Sequence, residues 1–213
     1  MSLGRAQLAA AVARDIPPGS YVNLGIGLPT LVAEHLDPAA GIVLHTENGM
    51  LNMGPAAAPG TEDHDLTNAG KQPVTELPGA AYFHHADSFA MMRGGHLDVC
   101  VLGAFQVSAR GDLANWHTGA PDTIPAVGGA MDLAAGARRV VVMTGMFAKD
   151  GSPKIVPECT YPLTAASCVD RIYTDLATLD VTGSGLVVRQ LHDISYADLA
   201  ARLDVALTDG RAP

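Results

Sequence analysis

The apolar positions of this chain change period several times, and the changes predict alternating helices and strands. Leu3, Leu8 and Val12 recur at roughly helical spacing in an Ala-rich segment that Asp15-Ile16-Pro17-Pro18-Gly19 stops, so a helix comes first. Tyr21 to Gly25 reads as a strand, Gly25-Ile26-Gly27-Leu28-Pro29 as a loop, and Thr30 to Leu36 as a helix. Ile42 to His45 is the second strand. It drives into Glu47, after which Asn48-Gly49 supplies φ > 0 positions that reverse the backbone at once. A β-α-β unit of this kind puts both strand ends on one edge of a parallel sheet, so Asn23 and Glu47 are expected to share a cleft.

Met53 to Asp65 lacks periodicity and reads as a loop, and Val74 to Leu77 as a short strand. Asp87 or Ser88 caps a short helix through Met92, which Gly94-Gly95 ends. Leu97 to Leu102 is nearly continuous in apolar residues, as buried parallel strands are, and Asp98 within it requires a partner. Arg138 to Thr144 is the clearest strand, and Lys149-Asp150-Gly151-Ser152 marks a turn. Strands over Val169 to Thr174 and Leu186 to Leu191 follow, the latter after the turn Thr182-Gly183-Ser184-Gly185, which predicts antiparallel pairing at an edge. Ser195 with Asp198 resembles a capping box and Ile194 with Leu199 a hydrophobic staple, so a helix runs to about Leu203. The expected fold is α/β. A single domain over residues 1–213 holds a mainly parallel sheet flanked by helices, with some antiparallel edge strands; no repeat, low-complexity tract or linker forces a cut.

Composition agrees with that picture and narrows the partners. With 213 residues and 48% hydrophobic content a packed core is attainable. Only 16% of residues are charged, while 23 Gly and 14 Pro favour many tight connections over a long-helix bundle. A formal charge of -9 argues against nucleic acid or an anionic membrane as partner, because either needs a basic stripe. Cys100, Cys159 and Cys168 match no zinc or redox spacing and read as reduced thiols. No charged leader with an apolar run opens the sequence and no stretch approaches the roughly 20 apolar residues that span a bilayer, so a cytoplasmic address is expected.

Candidate chemistry centres on Glu47. A carboxylate delivered by a buried strand to a tight turn is a candidate reactive group. In general, however, a strand-end Glu before Asn-Gly is more often a solvated turn residue than a catalyst. Gly25 and Gly27 put backbone N–H groups at a strand's carboxyl end, a natural place for an anion or oxyanion, but the third glycine of a dinucleotide fingerprint and the Lys of a P-loop are missing. Asn23 is a turn-capping amide as readily as a functional donor. His84, His85, His96 and His117 lack the i+3 or i+4 companions of a metal site, so no metal is expected, and His84 or His85 fits dicarboxylate binding or packing. Arg93, before Gly94-Gly95, could hold a carboxylate bidentately, although an Arg there more often solvates the last helix carbonyls. Lys71 is open in the same way, and Met91-Met92 and Trp116 read as core.

Taken together, Asn23-Leu24-Gly25-Ile26-Gly27, Glu47-Asn48-Gly49, Asn68-Ala69-Gly70-Lys71, Ser88 to His96, Gly111 to Trp116 and Gly128-Gly129-Ala130-Met131-Asp132-Leu133 resemble the B subunit of the 3-oxoacid CoA-transferases. The match runs through nearly the whole chain. Within that family, His84-His85-Ala86-Asp87 and Trp116-His117-Thr118-Gly119 are more similar to the branch that acts on 3-oxoadipate than to the acetoacetate enzymes.

The resemblance implies an α/β fold, an A-type half as partner with the active site between the two halves, and succinyl-CoA and a 3-oxo acid as substrates. It implies no permanently bound cofactor, since CoA arrives as a thioester substrate. It makes Glu47 the nucleophile that becomes a glutamyl-CoA thioester in a ping-pong cycle from which water is excluded. Asn23 and the backbone at Gly128 and Gly129 become the oxyanion donors. Two departures from the family pattern stand out. Asn52 occupies a place where relatives commonly have Gly, and Thr144-Gly145-Met146-Phe147 stands where they commonly have an acid and a His before the Lys. Acetoacetate remains the alternative acceptor, and a non-catalytic assembly role the alternative of another class.

Overall fold

The runs of Val and Leu that read as buried strands lie side by side at the centre of the molecule. The computed structural model describes residues 2–120 and 127–211. Along the chain the elements are α1 (Arg5–Arg14), β1 (Tyr21–Leu24), two 3-10 helices (Leu28–His35 and Pro38–Ala40), β2 (Val43–Thr46), β3 (Met50–Ala56), β4 (Val74–Tyr82) and α2 (His85–Arg93). They continue as β5 (Val99–Leu102), β6 (Gln106–Ser108), β7 (Leu113–Ala114), α3 (Ala130–Gly136), β8 (Val140–Met143) and β9 (Ile155–Val156). The last are β10 (Arg171–Tyr173), β11 (Ala177–Thr182), β12 (Gly185–Leu191), α4 (Tyr196–Arg202) and β13 (Leu207–Asp209).

Among the described residues the main sheet has ten strands in the order β13-β12-β11-β10-β8-β5-β1-β2-β3-β4. Its centre, β10-β8-β5-β1-β2, is parallel throughout. At the two flanks β3 and β4, and β11 and β12, pair antiparallel, as the turn at residues 182–185 predicts. A small second sheet, β7-β6-β9, packs against one face.

Side-chain alternation divides the core into two layers. Val99, Val101, Val141, Met143 and Tyr173 point to the face covered by α1, where Leu8 and Val12 bury. Cys100, Leu102, Val140, Val142 and Ile172 point to the other, against Met92 of α2, Leu133 of α3 and the small sheet. Burial on both faces is why these strands read as continuous apolar runs rather than as alternating ones. Asp98 lies just before β5, where it accepts from the Tyr21 amide (2.9 Å) and pairs with Arg138 (2.8 Å). β2 lies on one side of β1 and β5 on the other, so the winding direction reverses between β1 and β5. In sheets of this type that reversal opens a crevice at the carboxyl ends of the strands.

Four sequence expectations need correction. The helix expected over Thr30 to Leu36 is a 3-10 helix: Gly27 enters at φ 92° and Pro29 stands in the first turn. Its two buried residues, Pro29 and Val32, are three apart, matching three residues per turn. The expected loop from Met53 starts as strand, because β3 continues to Ala56 with Met50 and Met53 buried. Register shifts at Leu51/Met53 and Met53/Ala56 break the alternation that marks a strand in sequence. β4 runs on to Tyr82, well past Leu77, largely exposed and so without an apolar signature. The cap of α2 is His84, whose Nδ1 accepts from the Ala86 amide (3.1 Å), and Ser88 is buried inside the helix.

Candidate active site

Glu47 stands in the three-residue turn between the antiparallel strands β2 and β3. The turn is built locally. The Thr46 hydroxyl accepts from the Met50 amide (3.1 Å), and the Asn48 side chain donates to the Thr67 carbonyl (2.8 Å). Of Asn48 and Gly49, both expected to supply positive φ, only Gly49 does so, at 113°. A Cβ there would also lie 2.2 Å from the Phe83 carbonyl oxygen, so no other residue fits without moving the backbone that follows β4.

Glu47 Oε2 accepts from the backbone N–H of Gly129 at 3.1 Å, at the start of α3. The two adjacent glycines serve different purposes. Gly128 has φ +52°, a conformation costly for other residues, whereas Gly129 has the ordinary φ of -83°. What Gly129 supplies is room: a Cβ on it would lie 2.4 Å from Oε2 and 2.9 Å from Cδ of Glu47.

The carboxylate forms part of the wall of two cavities. One, of about 520 Å³, lies over the carboxyl ends of β1, β5 and β8 and is bounded by Gly25, Leu102, Met143, Thr144, Gly129 and Lys154. The other, of about 320 Å³, lies toward β3 and the loop at Asn68, with Asn23, Glu34 and Glu62 in its wall. Ile26, 67% exposed, borders both.

Asn23 shares the smaller cavity with Glu47, as the parallel pairing of β1 and β2 leads one to expect. Its amide does not reach toward Glu47, however. Nδ2 lies 3.0 Å from Nδ1 of His45 and 3.1 Å from the His45 carbonyl, which commits both hydrogens to β2. His45 escaped the sequence reading although it is two residues from Glu47 and borders the same smaller cavity. It is 2% exposed, and burial pushes its pKa down to about 4. Since Asn23 donates to Nδ1, the proton sits on Nε2, which donates to the Ser88 hydroxyl (3.0 Å); that hydroxyl donates in turn to the Thr46 carbonyl (3.1 Å). A neutral imidazole thus ties β1, the end of β2 and α2 together beneath Glu47.

The remaining candidates lie elsewhere. Arg93 pairs with Asp132 (2.5 Å) between α2 and α3, largely in solvent. His84 is a helix cap, and His85 packs on Phe89 with ring centroids 4.8 Å apart. None of the three borders a Glu47 cavity, because α2 presents them on its outer surface. His117 accepts from the Gly119 amide (3.1 Å), and among the described residues no three ligand-type side chains cluster as for a metal. Lys71 is exposed in a left-handed turn (φ 60°). Asn52 also adopts φ 62° and donates to the Pro78 carbonyl (2.9 Å), which accounts for an Asn where Gly is common. Lys154, within the larger cavity, was missed because it stands alone before the two-residue strand β9, without periodicity or motif.

Comparison with known proteins gives the family. The family described as Coenzyme A transferase matches residues 5–198. The chain is 65% identical over 198 residues to the B subunit of the 3-oxoadipate CoA-transferase of Pseudomonas putida, covering 92% of each. It is 59% identical over 208 residues to the B subunit of the same enzyme in Acinetobacter baylyi, covering 97% of this chain and 96% of that one. Among solved structures, the acyl-CoA transferase YdiF of Escherichia coli O157:H7 superposes with a TM-score of 0.77 at 18% identity. That likeness, which spans all of this chain and 44% of YdiF, is one of fold.

Proposed function

The chain belongs to the coenzyme A transferase family and is a B-type subunit, and from that premise we propose that it transfers CoA from succinyl-CoA to 3-oxoadipate through a thioester on Glu47. The choice of 3-oxoadipate follows the names of the relatives at 65% and 59% identity. An A-type subunit completes the site, CoA enters as substrate, no permanently bound cofactor takes part, and the reaction runs in the cytoplasm.

The observation that carries the reading is the Glu47 carboxylate held against the Gly129 N–H between two cavities. In the proposed cycle a carboxylate oxygen of Glu47 attacks the thioester carbon of succinyl-CoA. The C–S bond breaks, giving CoA thiolate and a glutamyl–succinyl anhydride. The thiolate then attacks Cδ of Glu47, and succinate leaves with the bridging oxygen. Glutamyl-CoA remains. The carboxylate of 3-oxoadipate attacks Cδ in turn, and thiolate return to the new anhydride's acyl carbon releases 3-oxoadipyl-CoA and free Glu47. Atoms and charge balance without a net proton.

Each attack on Cδ puts negative charge on a Glu47 oxygen. The Gly129 N–H, 3.1 Å from Oε2, is at the distance expected of an oxyanion donor, and such a donor is typically worth about 2.7–4 kcal/mol of barrier. Both intermediates hydrolyse readily, so the site must be closed to water during turnover.

The test is mass spectrometry of the chain, purified with its A-type partner, after incubation with succinyl-CoA. A CoA adduct is expected on the peptide containing Glu47, sensitive to hydroxylamine and absent from Glu47→Ala, which should lose transfer. An active preparation with no adduct and no response to hydroxylamine would exclude the covalent route. Full activity in Glu47→Ala would leave the chain an assembly role, and faster turnover of acetoacetate would reject 3-oxoadipate.

A further inference from the structure

The two cavities that meet at Glu47 differ in charge. Among the described residues, the ionisable groups of the 320 Å³ cavity are the carboxylic side chains of Glu34, Glu47 and Glu62 and the imidazole of His45, with no lysine or arginine. In the 520 Å³ cavity they are Glu47 and Lys154 alone. Lys154 is half-buried, and Nζ donates to the Ala104 carbonyl (3.1 Å) and the Thr144 hydroxyl (3.0 Å). Both acceptors are neutral. Asp175 acts on Lys154 only from beyond ion-pair range, with one of its own oxygens held by the Met146 amide (2.7 Å). Two of the three ammonium hydrogens are therefore accounted for, and no carboxylate of the described residues pairs with the charge. Partial burial of an unpaired cation is unfavourable and lowers its pKa, a cost that a bound anion removes. Leu102, Leu133 and Met143 line the same cavity with apolar surface.

We propose that Lys154 is the specificity residue for dicarboxylic substrates: the larger cavity takes the acyl chain, with one carboxylate reacting at Glu47 and the distal carboxylate paired with the Lys154 ammonium. The inference rests on the proposed transfer reaction and adds which end of the acid is recognised, and by what. It applies to both half-reactions, because the succinyl group of the donor also carries a free distal carboxylate. The smaller cavity, with its three carboxylic groups, repels that end of the substrate.

The test is a cycle between residue and substrate. With the chain purified together with its A-type partner, kcat/KM is measured for 3-oxoadipate and for its monomethyl ester at the carboxylate far from the 3-oxo group. Both are measured on wild type, Lys154→Gln and Lys154→Arg. In a ping-pong reaction this constant reports only the acceptor half-reaction, so weaker binding of succinyl-CoA does not enter it. Wild type is expected to prefer the free acid at least tenfold, about 1.4 kcal/mol. Lys154→Gln should bring acid and ester within threefold of each other, and Lys154→Arg should restore part of the preference. A structural role for Lys154 would lower both substrates equally and leave their ratio intact, and that result overturns the inference. So does a wild-type enzyme that does not distinguish acid from ester, which needs no variant to fold. A wild-type complex that transfers CoA to no 3-oxo acid refutes the transfer reading itself.

Discussion

Replacing Gly129 by alanine separates the two properties of that residue more cleanly than any other substitution. Its φ of -83° and ψ of 3° suit alanine, so the backbone need not strain. Its space does not. The added Cβ would stand 2.4 Å from Glu47 Oε2, 2.9 Å from Cδ and 3.4 Å from Cγ. Contacts between such atoms settle near about 3.5 Å, so the carboxylate must withdraw by about 1 Å. That displacement removes the 3.1 Å contact with the Gly129 N–H and shifts the proposed nucleophile. Misplacement of a reacting group by about 1 Å costs about a hundredfold, and loss of an oxyanion donor about a hundred- to a thousandfold. Transfer activity should therefore fall by about two to three orders of magnitude. Stability should hardly change, because Gly→Ala at a compatible φ gains about 0.4–1 kcal/mol through the unfolded chain, against the small cost of moving a half-buried side chain. The assay is steady-state transfer by the complex, with a thermal melt of the same preparations. Activity within threefold of wild type would refute the placement of Glu47 against Gly129. A Tm drop above about 8 °C, equivalent to about 2–4 kcal/mol for a chain of this size, would show that the glycine serves folding instead.

Asn52→Ala should lower stability by about 1–2 kcal/mol, read from the urea midpoint, since it removes the 2.9 Å bond to the Pro78 carbonyl and leaves a Cβ residue at φ 62° without that support. Asn52→Gly, which keeps the conformation and loses the bond, should cost less; equal losses would show that the backbone angle is immaterial. His45 should make the fold acid-sensitive: its folded pKa, pushed by burial to about 4, lies below the ordinary value near 6.5, so the unfolded chain binds the extra proton. That contribution is fully present above pH 6.5 and is lost as pH falls toward 4, at most about 3 kcal/mol, and His45→Gln should show a correspondingly flatter urea midpoint between pH 7 and 4.5; parallel pH profiles would refute it.

The central sheet was legible because its strands are buried on both faces and therefore carry unbroken apolar runs. The elements outside that centre were legible only in part. β4 is exposed, β11 lies beside a turn that the sequence assigned only to its partner, and β6, β7 and β9 are two or three residues long. Glu47 was legible as a strand-end carboxylate, and the glycines near 128 through the family resemblance. The connections of Asn23 and His45 were not. An amide can donate toward a cavity or across a strand pair, and only the register Asn23↔His45 decides between them. The surroundings of Arg93, His84 and His85 were not legible for a related reason: the sequence locates them on or beside a short helix, but which face of α2 meets the sheet is decided by Ser88 and Met92, the residues that bury.

The same register explains why a turn, normally the least constrained part of a strand pair, can hold the carboxylate of the proposed nucleophile in place. β2 pairs with β1 through the parallel centre of the sheet and with β3 through the hairpin, so the residues on either side of Glu47 are fixed by ladders of opposite sense. Beneath them, His45 joins Asn23 to Ser88, and Ser88 returns to the carbonyl of Thr46, one residue from Glu47. From the opposite side, Gly129 brings a backbone N–H within 3.1 Å of the carboxylate while leaving no side chain in the way. In the proposed cycle, the donor that orients the resting carboxylate is the one that meets the charge developing on the same oxygen during attack at Cδ. No donor has to move between the two states, which is the condition under which a fixed dipole lowers a barrier most.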